Sequence, residues 1–286
     1  MVTSPKVSVL ISCYNHAQYI EAAITSVLRQ TYANIELIVL DDGSSDNSYQ
    51  IIRTLADQHQ FYAARQQNIG LTASLNKALQ MATGKYICQL GSDDIMMPDK
   101  TEKQVAFMEG NSDAAVNGGN ALLIDENGVI INHRQKFPPY REIAFAQIFA
   151  NTGPGIIAST CMIRKSALDK EGGWDGSIPL EDMYMWFKLT SRGYRMVGLN
   201  DVLIYYRKHT RNASRNVRYM YESMMKTIAP YQGHAMYSQV YLDMLRRYFL
   251  TAAKHDKKLA REILRLIPLG QYNVKTLRGL LYLVFH

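Results

Sequence analysis

Tyr86-Ile-Cys-Gln-Leu-Gly-Ser-Asp-Asp94 is an apolar run that stops abruptly at two adjacent carboxylates. Its length and composition are those of a buried strand, and acids delivered to the end of such a strand mark a ligand-bearing edge. A Mg²⁺ or Mn²⁺ ion that bridges a diphosphate takes one or two protein oxygens and leaves its other positions to phosphate and water. A short acidic tip is therefore enough to hold it. The same Asp-Asp, followed by Pro98, also reads as the acidic entrance to a helix, where capping and the helix dipole favour carboxylates. The surrounding chain decides between the two.

Upstream, Val7–Ser12 and Glu36–Leu40 read as strands like Tyr86–Leu90, while Ile20–Gln30, Asn47–Asp57 and Leu71–Met81 have apolar residues three and four apart, the mark of helices. Strands alternating with helices predict a parallel α/β sheet with its ligand sites at the carboxyl ends of the strands. Downstream, Lys100–Met108 reads as a helix. Ala121–Ile124 and Val129–Asn132 flank Asp125-Glu-Asn-Gly128, a hairpin signal. A loop around Phe137-Pro-Pro139, a helix at Arg141–Ala150, a Gly-Pro-Gly turn at Gly153–Gly155, a strand near Ser159–Arg164, a helix at Leu180–Ser191 and a strand at Val202–Arg207 come next. From about Ser214 the chain reads as helical, with breaks at Pro230 and Pro268-Leu-Gly270.

The 286 residues suit one core of about 200 with an appendage. Cys13, Cys88 and Cys161 are widely spaced and two fall in predicted strands, which argues for reduced, packed thiols in a cytosolic protein rather than a disulfide frame or zinc site. No signal peptide fits before Val7, and no apolar run reaches the length of a membrane span. The net charge of +7 admits nucleic acid, anionic lipid or an anionic substrate as partner. From Tyr241 onward nine Lys and Arg stand against three acids, so the excess sits in the tail. Lys254, Lys258, Arg261 and Arg265 fall on one helical face opposite Leu259, Ile263, Leu266 and Ile267. Such a basic amphipathic helix either rests on an anionic membrane or buries its apolar face on the protein. The second apolar segment, Leu277–Phe285, favours the membrane.

Five further segments carry polar residues at strand ends or helix starts. Val7-Ser-Val-Leu-Ile-Ser-Cys-Tyr-Asn15 is a buried strand delivering Tyr14 and Asn15 to a turn, and Leu37-Ile-Val-Leu-Asp-Asp-Gly-Ser-Ser-Asp46 ends a strand in Asp41 and Asp42 before a glycine turn and helix-capping residues. Gly172-Gly-Trp-Asp175 precedes Glu181-Asp182 at a helix start, and Ile204–Ser214 contains Arg207, His209 and Arg211. Asn68-Ile-Gly70 reads equally as a helix entry. Together these resemble the family-2 inverting glycosyltransferases of GT-A fold, from Val7 to about Ser214.

The resemblance implies an α/β GT-A catalytic domain over residues 1–213, a nucleotide-sugar-binding half to about residue 110 and an acceptor half over 111–213, then a helical basic tail over 214–286. It implies that Asp41 accepts the N3–H of uracil, that Tyr14, Asn15, Asp42, Asn68, Gly70, Asp93, Arg207 and Arg211 line the nucleotide, and that Asp93 and His209 hold Mn²⁺ or Mg²⁺. Gly91 stands where the family's Asp-x-Asp motif has its first acid. Asp182 is the implied general base with Glu181 beside it, and Gly173 and Trp174 the implied acceptor contacts. A carboxylate in the first turn is kept ionised by the helix dipole. The expected activity is a metal-dependent, inverting transfer from a UDP-sugar to a glycan or lipid-linked acceptor in surface polysaccharide synthesis, at the inner face of the cell membrane. A Rossmann-type oxidoreductase lacks its Gly-x-Gly-x-x-Gly after the first strand. A nucleic-acid-binding module conflicts with acids at the strand ends, which repel phosphate unless a metal intervenes.

Overall fold

The apolar run at Val7–Cys13 forms strand β1, and every residue in it except Ser12 is buried, as expected of a parallel strand covered by helices on both faces. The structure, a computed structural model, describes residues 4–131, 134–210, 212 and 215–285. In it β2 (Ile35–Asp41) and β4 (Tyr86–Gln89) flank β1 in parallel, and β3 (Tyr62–Arg65) adds to β2. Helices α1 (Ile20–Leu28), α2 (Ser48–His59) and α3 (Leu71–Met81) connect them. Val9, Ile11 and Cys13 pack in one core with Ile20, Ile24, Val39, Ile52 and Met108. The register sets Cys13 beside Asp41 and Leu10 beside Gln89. The carboxyl ends of three strands thus lie side by side, and the turns that leave them converge.

The remaining elements of the sheet are β5 (Ile95–Met96), β6 (Ala114–Ile124), β7 (Arg141–Glu142), β8 (Met162–Arg164) and β9 (Arg195–Arg207), interspersed with α4 (Lys100–Gly110), α5 (Phe145–Ala150), α6 (Lys165–Lys170) and α7 (Glu181–Ser191). The strand order is β3-β2-β1-β4-β8-β6-β9-β5, with β7 against β9. β8 runs antiparallel to β4 and β6, so the sheet is mixed.

Three expectations shift. Arg141–Glu142 is a strand rather than the start of a helix: Arg141 pairs with Gly198, whose missing Cβ leaves room for the guanidinium, and β9 begins at Arg195 instead of Val202 because β6 pairs with it from there. The hairpin turn at Asp125–Gly128 forms, with Asp125 N–H donating to Val129 O, but its second arm is only a bridge between Ile130 and Ile124, and Asn132 lies outside the described residues. A 3-10 turn at Ala158–Thr160 replaces the start of the strand expected from Ser159.

The chain divides into two compact units, residues 1–177 with 185–209, and residues 178–184 with 210–286. Within the second, α8 (Val217–Ile228) is capped by Asn216 and α10 (Lys257–Leu264) by Asp256. 3-10 turns occupy both proline breaks, Ala229–Tyr231 and Leu269–Gln271, and α11 (Val274–Phe285) closes the chain. The core joins Leu245, Phe249 and Ala252 of α9 (Tyr237–His255) to Leu259, Ile263 and Ile267. The apolar face of α10 is therefore spent inside the unit, and only Leu266 of the four apolar residues expected to meet a membrane stays exposed. No helix among the described residues is long and apolar enough to cross a membrane. Cys13, Cys88 and Cys161 are free and buried, and burial pushes the Cys13 thiol up to about 12.

Candidate active site

The turns after β1 and β2 are laced together. Asn15, at φ 55°, donates its N–H to Ser44 Oγ at 2.9 Å and accepts Ser45 N–H at 2.8 Å, while the His16 N–H donates to Ser48 Oγ at 3.0 Å. Tyr14 is exposed beside them. Gly43 has φ +79°, and a Cβ there would lie 2.8 Å from the backbone nitrogen of Asn68, so only glycine lets the 66–70 loop approach.

Asp42 holds that loop. One carboxylate oxygen accepts Gln66 Nε2 and Ile69 N–H, the other Gly70 N–H, each at 2.9 Å. Asp41, fully buried, accepts Ser44 N–H at 3.1 Å and pairs with Arg65 Nε at 3.5 Å through Oδ2. Its Oδ1 has no hydrogen-bond partner among the described residues. Of the nucleotide residues expected here, Asp42 is spent on structure, Asn68 and Gly70 belong to the loop it fixes, and Asp41 keeps a spare acceptor.

After β4, the tight turn Gly91–Asp94 closes with Asp94 N–H donating to Gly91 O. Asp94 is buried and accepts Ser159 Oγ–H at 2.5 Å and Arg207 N–H at 3.0 Å. Burial first, and then the neighbouring Asp93 charge, push its carboxyl up to about 7. Arg207 is buried as well. It donates to the backbone oxygens of Asp93, Asp125 and Glu126 and lies over the Tyr19 ring. The resemblance has it neutralise diphosphate oxygens; the geometry makes it the brace of the Asp93 turn. Arg211 lies outside the described residues.

Asp93 points the other way. Its Oδ2 lies 2.9 Å from His209 Nε2, and ligand atoms of His16, Asp93 and His209 all fall within 4.8 Å of one another. His209 stacks on Tyr19, which fixes its ring. Two imidazoles and one carboxylate form a mixed nitrogen and oxygen donor set that fits a first-row divalent ion, and the residues present therefore suit the metal that the fold implies. His16 is an addition to the two ligands that the sequence suggests. Gly91 is part of the fit: a Cβ there would lie 2.9 Å from Asp94 Oδ2 and 3.0 Å from Asp93 Oδ1, so a third acid would crowd the first two.

Gly173 and Trp174 are tied to α3: Trp174 N–H donates to Asn76 Oδ1 at 2.9 Å, and Asn76 Nδ2 donates back to Trp174 O at 2.7 Å. Trp174 is buried, so its ring is core rather than an open wall for a sugar. Glu181 and Asp182 open α7 and belong to the second unit. Burial raises the Asp182 carboxyl above its ordinary range, outweighing the Met183 N–H that it accepts at 2.6 Å. The helix start thus does not hold this acid in its usual ionised range; desolvation wins.

The chain that carries this site has known relatives. Residues 8–172 match the sequence profile of Glycosyl transferase family 2. The chain belongs to that family.

The transferase is 32% identical over 215 residues to the Escherichia coli protein WfaP, a UDP-Glc:alpha-D-GlcNAc-diphosphoundecaprenol beta-1,3-glucosyltransferase, covering 73% of this chain and 80% of that one. Two solved structures share its fold. Staphylococcus aureus TarS 1-349 in complex with UDP-GlcNAc has a TM-score of 0.67 at 18% identity, over 92% of this chain and 82% of that one. The Pyrobaculum calidifontis mannosyltransferase PcManGT, in complex with GDP-Man and Mn²⁺, has a TM-score of 0.64 at 16% identity, over 99% and 86%. The GT-A expectation for the fold holds, and membership in a glycosyltransferase family sets aside the oxidoreductase reading and that of a non-enzymatic module.

Proposed function

We propose that the transferase moves a hexosyl or N-acetylhexosaminyl group from a UDP-sugar to a lipid-linked glycan, with inversion and with a divalent ion, in surface polysaccharide synthesis. The observation that carries this reading is the convergence of His16, Asp93 and His209 at the carboxyl edge of the sheet. A divalent ion held there would offset the charge on the diphosphate leaving group. The mixed donor set favours Mn²⁺ over Mg²⁺, which prefers an all-oxygen shell. The spare Oδ1 of Asp41 supports a base that presents an N–H, as uracil does at N3. The nearness of WfaP supports UDP as the carrier and a lipid diphosphate on the acceptor.

In the transfer, the acceptor hydroxyl attacks the anomeric carbon while the bond to the diphosphate breaks, and Asp182 takes the hydroxyl proton. Desolvation suits it to this work, because a base whose pKa lies nearer the working pH accepts a proton more readily. Glu181, buried beside it, supports the acceptor. A lipid-linked acceptor would bring the enzyme to the inner face of the cell membrane, with the C-terminal helices as the peripheral contact.

A thermal-shift panel of UDP, GDP and their sugar conjugates, with Mn²⁺, Mg²⁺ or EDTA, tests the donor. The expected result is a larger stabilisation by a UDP-sugar with Mn²⁺ than by any guanosine conjugate, lost in EDTA. Equal stabilisation by GDP-sugars, or stabilisation indifferent to EDTA, would contradict the reading.

A further inference from the structure

Helix α11 is apolar on two sides, and only one of them packs on other described residues. Thr276 and Gly279 are buried, Leu280 and Leu283 pack into the core of the second unit, and a Cβ on Gly279 would overlap the Phe249 ring, so the helix is seated closely on α9. Val274, Leu277, Leu281, Val284 and Phe285 face outward and are 55–74% exposed. At the helical advance of each residue they form one stripe about 100° wide, opposite the buried residues. Charge says what the stripe meets. From Ile263 to the end of the chain there is no acidic residue, while Arg265, Lys275 and Arg278 are present. Lys275 and Arg278 are exposed on α11 itself, along one margin of the stripe. Leu266 and Leu269, 50% and 81% exposed, extend the acid-free apolar stretch upstream.

We propose that the outward stripe of α11, with Lys275 and Arg278 at its margin, is the surface by which this protein lies on an anionic lipid bilayer. An interfacial helix buries an apolar face among the acyl chains and keeps its cations among the phosphates, and this helix presents both. The proposal rests on the lipid-linked acceptor reading and moves the contact from α10, whose apolar face is already buried, to α11.

Co-sedimentation of the full chain with vesicles of phosphatidylcholine alone, or with a third phosphatidylglycerol, tests it. The parent should bind the anionic vesicles, bind the neutral ones weakly, and release as salt rises. The variant Leu277→Gln/Leu281→Gln/Phe285→Gln should lose binding to both. Lys275→Gln/Arg278→Gln should weaken the anionic arm about fivefold for each charge removed and leave the neutral arm alone. Nucleotide-induced thermal shift, read on every variant, separates loss of this surface from loss of the fold or of the donor site. The parent alone also decides: if it ignores anionic vesicles, or if sedimentation without lipid shows a dimer that the triple variant abolishes, the stripe is a subunit contact and the proposal falls.

Discussion

The turn after β2 and the turn after β4 each carry two consecutive aspartates, and the two turns share out their acids alike. Asp42 and Asp94 are consumed by the fold, one by the loop at Gln66–Gly70, the other by Ser159 and the Arg207 N–H. Asp41 and Asp93 each keep an oxygen outside those anchors: an Oδ1 without a hydrogen-bond partner among the described residues in the first case, an Oδ2 facing His209 in the second. Successive side chains at a strand end point in opposite directions, so the two acids of each pair meet different partners. A single aspartate at either turn would have to choose.

Another acid pair, Glu181-Asp182, opens a helix instead of closing a strand. If Asp182 is the working member, Asp182→Asn should lower turnover by at least about a hundredfold while nucleotide affinity stays. Its raised pKa gives the sign of the pH dependence. The base must be ionised to accept a proton, so activity should rise with pH through a limb above the ordinary carboxylate range, and the limb should vanish in the variant. A parent profile flat across that range would place the base elsewhere. Next in size, Asp42→Ala strips three donors of their acceptor, and urea unfolding should show a loss on the order of 3 kcal/mol. Were Asp42→Ala to unfold like the parent and bind UDP poorly instead, the division of roles at β2 would be reversed. Gly91→Asp, which restores the family's first acid, should cost about 2 kcal/mol through crowding against Asp93 and Asp94, and calorimetry should show no gain in Mn²⁺ affinity. The smallest effect belongs to Asp41→Asn. It keeps the shape and should weaken UDP about fivefold, one charge-assisted hydrogen bond, without changing the response to Mn²⁺.

Most of this fold was readable because its strands are buried on both faces and its crossover helices keep a clear period. Leu71–Met81 forms as the pattern predicts, and Asn47–Asp57 and Lys100–Met108 differ only at their ends. The missed strand β3, Tyr-Ala-Ala-Arg, is half exposed at the sheet edge and has no apolar run to announce it. β7 is two residues whose pairing depends on Gly198 far along the chain. In the site, Asp93 and His209 follow from the order of motifs, but His16 does not. A histidine after Tyr14-Asn15 has no spacing relation to Asp93. The signal that could have found it is topological: β1 and β4 are neighbours in parallel, so the residues after Cys13 and after Gln89 must meet. Arg207 reads as a phosphate ligand from its place in the motif, and the structure adds what no spacing shows, its donors on the backbone of Asp93, Asp125 and Glu126.

The proposed function requires that His16, Asp93 and His209 hold one divalent ion to which the UDP diphosphate binds. Titrating Mn²⁺ into the protein and following the sharp paramagnetic resonance of the free ion, with and without UDP, tests it directly. The parent should remove free Mn²⁺ from solution, and more strongly with UDP present. Asp93→Ala should abolish that uptake, and His16→Ala should weaken it about tenfold or more, as befits a direct ligand. Uptake by Asp93→Ala and His16→Ala equal to the parent's, or a parent that binds UDP tightly without taking up the ion, would rule out this metal site.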